Sequence, residues 1–285
     1  MSLFSKARLI TTAAIGGACL VAKKLSNQNE SFGFFNLNQV KTCYADANLL
    51  NSENIDCDPV IFGKKEVEYP LWEHNWDKRA RKEDDEKPLE KSCRTLLLIR
   101  HGDYHTSRDH EKYGHLNEKG VQQAQSAGVR LKELIENGLE IDAFIVSTMP
   151  RAQESFEAIK ENVDTSCMEV VSSDIITEGY PCVPDPPSSS KRTESQVFQD
   201  SVRFEAGFRK LFYRPSGDHG NTYNVVVCHA NLIRFLVMRA LQLPEKAWLR
   251  FSLQNASFTE VRVYEDGKVS LVNFGEQAHV KWSCE

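Results

Sequence analysis

The chain has no excess of positive charge. Its 285 residues sum to a formal net charge of -5, so it lacks the broad basic field on which nonspecific nucleic-acid binding depends. Nucleic acid is therefore not an expected partner. Eight cysteines are present, but no Cys-x-x-Cys pair and no framework spacing, which argues against a disulfide scaffold and leaves mostly free thiols. A long hydrophobic run is missing from the amino terminus as well: the uncharged stretch from Leu9 to Ala22 is too short for a comfortable bilayer span. Acidic residues are absent before Glu30.

What those first residues do contain is Lys6, Arg8, Lys23 and Lys24 around the uncharged stretch, a pattern shared by mitochondrial presequences and signal-anchor segments. Lysines at both ends can snorkel and extend a marginal membrane helix. Residues 1–25 thus read as a targeting or membrane-anchor segment, with residues 9–22 meeting the membrane; a soluble amphipathic tail is the alternative. Residues 26–92 read as a linker. Up to Pro70 no helical or strand period is sustained, and from Arg81 to Lys87 the sequence is a block of charge. Between them, Trp72 and Trp76 stand four apart in the charged segment Leu71 to Arg79. Such a pair reads either as a docking peptide, since Trp and Arg dominate interface hot spots, or as a cap on the chain's own core.

Residues 93–285 form the expected main domain. Thr95 to Ile99 has the length and composition of a buried strand and delivers Arg100-His101-Gly102 at its carboxyl end. Asn117 can cap a helix in which Val121, Ala124, Gly128, Leu131 and Ile135 form the apolar stripe, with Gly138 as its stop. Ala143 to Val146 reads as a second strand, and Pro150 suits the first turn of the helix after it. Phe204, Phe208, Leu211 and Phe212 mark a further helix, Tyr223 to Cys228 another strand, and His229 opens one more helix. Val261, Val263, Val269 and Leu271 alternate around Glu265-Asp266-Gly267-Lys268, a hairpin at an antiparallel edge. Strands alternating with helices imply an α/β three-layer sandwich: a mostly parallel central sheet flanked by helices.

Catalytic groups of such sheets gather beyond the carboxyl ends of the strands, where this chain puts Arg100 with His101, then Arg151, then His229. Two arginines offer the fork-shaped donors that a phosphoryl group needs. A neutral His101 could attack phosphorus in line while His229 donates to the transferring oxygens, and no metal or other cofactor is required. Glu178, in a loop shaped by Gly179 and Pro181, is placed to protonate the leaving oxygen. Two rivals are weaker. Cys228 and Arg234 have the spacing of a cysteine-dependent phosphatase loop, but His229 to Ile233 hold no glycine to wrap phosphate. His101, His105, His110 and His115 could bind a metal, but they fall in a loop and not on one helix face.

In their order, Arg100-His101-Gly102, Arg151, Glu178 and His229 resemble the histidine phosphatase, or phosphoglycerate mutase-like, superfamily over about residues 94 to 275. Leu116-Asn117-Glu118-Lys119-Gly120 with Gln123-Ala124, Ser147 before Arg151-Ala152, and Cys228 to Arg234 support the match. The resemblance implies that His101 becomes phosphorylated. It narrows, through Trp72 to Arg79, Glu178 to Pro181, Pro184-Asp185-Pro186-Pro187 and Trp248-Leu249-Arg250, to the family's mitochondrial serine/threonine protein phosphatases. From that group follow phosphorylated proteins as substrates, self-association through Trp72, Asn75, Trp76 and Asp77, and a mitochondrial membrane, outer or inner. Mutases of the superfamily carry a Glu-Ser-x-Trp-Asn type segment where this chain has Asp103-Tyr104-His105-Thr106. Hydrolysis is therefore expected over transfer; a small-molecule phosphatase or mutase, or a noncatalytic membrane scaffold, are the alternatives.

Overall fold

Strand β1 (Cys93–Arg100) is buried on both faces, with Leu96 and Leu98 entering one core and Leu97 and Ile99 the other. This explains why its apolar run does not alternate with polar residues. The protein is described here from a computed structural model covering residues 71–80, 92–215 and 220–280. The expected anchor at 1–25, the linker to residue 70 and the charged block after residue 80 lie outside them. Among the described residues, no helix is long and apolar enough to cross a membrane.

Helix α1 (Glu118–Glu136) begins where Asn117 accepts the Gly120 amide at 2.8 Å. Its buried stripe is Gln123, Ala124, Ala127 and Leu131. Val121, expected in that stripe, is exposed instead. The cause is the docking of the first turn through Gly120, whose Cα lies so close to the Asp103 backbone that a Cβ there would collide with it. That contact turns Val121 outward. Strand β2 (Ala143–Ser147) leads into helix α2 (Pro150–Lys160), which has Pro150 in its first turn as expected.

Strand β3 (Glu169–Ser173) was not anticipated. It is an edge strand with mostly exposed side chains and so lacks an apolar signature. Helix α3 (Glu194–Leu211) opens with a capping box between Thr193 and Gln196 and buries Phe204, Phe208 and Leu211. Strand β4 (Thr222–Cys228) and helix α4 (Ala230–Ala240) follow. Strands β5 (Phe258–Tyr264) and β6 (Val269–Glu276) form the expected hairpin, with Gly267 at φ 85° in its turn.

The sheet order is β3-β2-β4-β1-β5-β6; the first four strands are parallel and the last two antiparallel. Helices α3 and α4 pack on one face and α1 and α2 on the other, giving three layers. The connections after β1 and β4, which are neighbours, therefore leave toward opposite faces. Beyond their carboxyl ends lies a switch point of the kind that hosts sites in open α/β sheets.

The tryptophan segment resolves one of its two readings within a single chain. Trp76 is 2% exposed, packs 5.7 Å from the Phe208 ring and donates its indole proton to the Gly267 carbonyl at 2.8 Å. Asp77 pairs with Arg214 at 2.8 Å, both side chains almost fully buried. Arg214 also donates to the His74 carbonyl and Arg209 to that of Trp76. Burial alone would raise the Asp77 carboxyl, but its bonds from Arg214 overcome this and lower it. The segment is a strap across α3 and the β5–β6 turn. Trp76→Ala should cost about 3–5 kcal/mol, the usual range for a large core aromatic; urea denaturation measures it, and a loss below about 1 kcal/mol would mean the strap is not part of the core.

Candidate active site

The two histidines are brought together by strand register. Arg100 lies opposite Cys228 in the parallel β1–β4 pair, and the His101 amide donates to the Cys228 carbonyl at 3.0 Å. His101 and His229 each follow by one residue, so their rings sit with centroids 5.1 Å apart. Both are buried.

His101 is held in one tautomer. Its Nδ1 lies 2.7 Å from the Gly102 carbonyl, which can only accept, so the proton sits on Nδ1 and the lone pair on Nε2. Arg151 donates from Nε to that Nε2 at 3.1 Å. Burial first, then the Arg151 and Arg100 charges, pull the imidazole down to about 3, so it stays neutral at ordinary pH. The loop is pinned by Ser155, which accepts from the Gly102 amide at 2.9 Å and donates to the Arg151 carbonyl. Gly102 also packs against the Gly120 backbone, with no room for a side chain on either residue.

His229 caps the start of α4 with its ring 2.7 Å, through Nε2, from the Ser147 hydroxyl. That hydroxyl also accepts from the Met149 amide, and among the described residues His229 Nε2 is the one acceptor within reach of its proton. The remaining proton of His229 is then on Nδ1, which is buried with no partner among the described residues. Burial and then the neighbouring His101 and Arg151 hold its pKa well below the usual imidazole range. Nε of Arg100 is likewise buried and unpartnered, while its Nη1 donates to the Leu253 carbonyl at 2.5 Å. Unsatisfied buried donors are costly and mark where an acceptor belongs. Arg151 donates to Nε2 of His101, and both arginines bear on the two imidazoles, so these open donors belong to one site suited to an anion.

Glu178 reaches the same site from the loop after β3. Arg203 of α3 donates to the carbonyls of Thr177 and Glu178, at 2.6 Å and 3.0 Å, and Asp200 accepts from the Tyr180 amide. Asn231 ties the loop to α4 through the Gly179 carbonyl. Burial raises the Glu178 carboxyl above its usual value, opposed by the Gly179 amide and the Arg151 charge. A carboxyl raised by burial is of the kind that can serve as a proton donor. All five expected residues, Arg100, His101, Arg151, Glu178 and His229, therefore belong to one cluster.

Neither rival arrangement forms. Cys228 is completely buried, and that burial pushes its thiol far above the ordinary range, so it offers no thiolate. His105 and His110 stack on each other at 4.0 Å, while His115 pairs with Glu154. His101 is committed elsewhere, so the four histidines do not converge.

Comparison with known proteins decides the family. The histidine phosphatase superfamily (branch 1) matches residues 96–178 and 193–275, more than half the chain. The chain belongs to the histidine phosphatase superfamily. Among relatives of this phosphatase-fold chain, the protein called serine/threonine-protein phosphatase Pgam5, mitochondrial, from Drosophila persimilis is 38% identical over 226 residues, 72% of this chain and 77% of that protein. The same-named protein of Drosophila willistoni is 38% identical over 228 residues, 73% of this chain and 77% of its own length. A phosphoglycerate mutase structure from Plasmodium falciparum is 25% identical, covering 68% of this chain and 98% of its own, with a TM-score of 0.48.

Sequence reasoning missed the parts of this histidine phosphatase site that lie far apart in the chain. Tyr104, noted only as a departure from the mutases, packs edge-on against His101 at 5.2 Å and lies under the Arg151 guanidinium at 4.7 Å. Asp200 and Arg203, which set the acid's loop, carry no local signal because they act from α3. If Glu178 is the acid, turnover should fall as pH rises through its raised pKa, where the donor loses its proton. Glu178→Gln should abolish that alkaline limb and lower kcat by about 10²- to 10⁴-fold; a pH–rate profile retaining the limb in the variant would assign it to another group.

Proposed function

We propose that this protein is a metal-independent phosphatase that hydrolyses phosphoserine and phosphothreonine in proteins through a phosphohistidine at His101. The observation that carries the reading is the neutral His101, its Nδ1 proton held by Gly102 and its Nε2 lone pair directed among Arg100, Arg151 and His229. When a phosphoryl group enters, Arg151 exchanges its bond to Nε2 for one to phosphate oxygen. Nε2 then attacks phosphorus as the bond to the serine or threonine oxygen breaks, and Glu178 gives that oxygen a proton. Water next attacks the phosphohistidine and passes a proton to the Glu178 carboxylate, which regenerates both groups. The charge of the transferring oxygens is met by the two guanidinium groups and the Nδ1 proton of His229.

A protein substrate is favoured over phosphoglycerate by two things. The relatives at 38% identity are named as serine/threonine-protein phosphatases, and Tyr104 sets an aromatic ring beside His101 where a small phosphorylated acid would need polar contacts. The names of the same relatives, with the charge pattern of residues 1–25, support a mitochondrial site of action and membrane contact through residues 9–22. Self-association through Trp72, Asn75, Trp76 and Asp77 is part of the same proposal. Because Trp76 and Asp77 are buried within one chain, copies must meet over the rest of the segment or exchange it between chains.

His101→Ala should abolish phosphate release from phosphopeptides and leave no acid-labile phosphoenzyme, while chelators leave the wild type unchanged and phosphoglycerate is a poor substrate. A fully active variant would rule out the mechanism. Separately, Trp72→Ala should lower the particle mass in light scattering, and deletion of residues 1–25 should move the chain from the carbonate-resistant membrane fraction to the supernatant. Unchanged mass or unchanged fractionation would remove the corresponding part of the proposal.

A further inference from the structure

One cation beside the site has no part in the chemistry above. Arg234, on α4 one turn after Asn231, is half-buried. Its Nη1 donates to the Asn231 side chain at 3.0 Å, its Nε is buried without a partner, and no carboxylate pairs with it among the described residues. It is close enough to Arg100 to disfavour that residue's charge, and Glu178 is close enough to favour its own. The charges bearing on His101 are instead Arg151 and Arg100. Arg234 therefore stands next to Arg100 and, through Asn231, beside the loop that carries Glu178, where the leaving group of the proposed reaction is protonated.

In a phosphoprotein the leaving group is the polypeptide itself, so this is where residues next to the phosphorylated one must lie. Three segments lead outward from here: Gly179 to Asp185, Arg234 to Met238 along one face of α4, and Arg250 to Leu253. They border a groove of about 840 Å³ lined in part by Val183, Pro184, Met238, Lys246 and Phe251. Lys246 also pairs with no carboxylate among the described residues. A half-buried guanidinium beside another, with no carboxylate in salt-bridge contact among the described residues, is an arrangement that an incoming anion stabilises.

Resting on the protein-phosphatase reading above, we propose that Arg234 is a specificity-determining residue that binds a carboxylate side chain flanking the phosphorylated serine or threonine. The groove beyond it, with Lys246, receives the continuing substrate chain. Arg234 acts on substrate choice and not on bond cleavage, so its removal should appear in KM and not in kcat.

The test uses the full chain and its Arg234→Gln and Arg234→Lys variants with four substrates: a phosphoserine peptide flanked by Asp, the same peptide flanked by Asn, p-nitrophenyl phosphate and 3-phosphoglycerate. Wild type should prefer the Asp-flanked peptide. Arg234→Gln should raise KM for it by about two- to fivefold, the scale of a partly exposed charge pair. Its kinetics on the Asn-flanked peptide and on p-nitrophenyl phosphate should not change, and Arg234→Lys should recover part of the loss. No preference in the wild type, or an equal loss on both peptides or on p-nitrophenyl phosphate, would overturn the assignment. So would a loss confined to phosphoglycerate, which would give Arg234 to the carboxylate of a small acid. If the wild type cleaves p-nitrophenyl phosphate but neither peptide, the protein-phosphatase reading falls and takes this one with it. Hydrolysis of both peptides without an effect of Arg234→Gln leaves that reading standing and removes only this proposal.

Discussion

The hydrogen bond from the His101 amide to the Cys228 carbonyl is the constraint from which the site follows. It extends the β1–β4 register by one residue and so fixes where each strand stops. A slip of one position would turn every side chain of β1 to the opposite face, exchanging Leu96 and Leu98 with Leu97 and Ile99 between two filled cores. The cores therefore enforce the register, and the register sets the separation of the two imidazoles. The close approach of Gly102 to Gly120 adds a second fixed point, because the chain leaving His101 must pass against the first turn of α1.

Burial then does chemical work that proximity alone would not. Arg100, Arg151, His101 and His229 form a cluster in which positive charge accumulates with little carboxylate to offset it. Burial and the neighbouring guanidinium charges push both histidines down, so they stay neutral. A neutral imidazole is what nucleophilic attack requires, so in the proposed mechanism the charge that would receive the phosphoryl also keeps its acceptor reactive. Glu178 responds in the opposite sense. Burial raises it although Arg151 and Arg100 act to lower it, so desolvation outweighs attraction there, and the same environment shifts the imidazoles down and the carboxyl up.

Much of this was legible in the sequence, for reasons particular to each residue. Buried strands such as Leu96 to Ile99 and Val225 to Cys228 announce themselves by apolar runs, and the polar residues that end them are conspicuous by contrast. The Asn117 cap and the Asp-Gly turn at Asp266 and Gly267 are local and could be read locally. Strand β3 could not, because Val170 and its neighbours sit at an edge with one side in solvent. Nor could the outward turn of Val121, which depends on a backbone contact with Asp103 that no helical period encodes. The tryptophan segment left two readings open because a pair of aromatic rings specifies that something covers them, without specifying what. Within one chain the cover is Phe208 and the β5–β6 turn.

The least regular part of the site is also the part most dependent on distant support. His101 and His229 follow directly from β1 and β4, and Arg151 stands in the first turn of α2, whereas Glu178 stands in a loop after an edge strand. What fixes it is α3: Arg203 gathers the Thr177 and Glu178 carbonyls and pairs with Asp200, which in turn holds the Tyr180 amide. These bonds are to backbone, so they position the acid without consuming its carboxyl oxygens, which remain near the Gly179 and Asn231 amides. Helix α3 is itself held on the opposite side by the strap, where Trp76 meets Phe208 and Arg209 donates to the Trp76 carbonyl. A contiguous path of packing and hydrogen bonds thus joins the strap to Glu178 through one helix. His101 and Arg151 depend instead on the ends of β1 and β4 and on the contacts of Ser155 and Gly120 from α2 and α1.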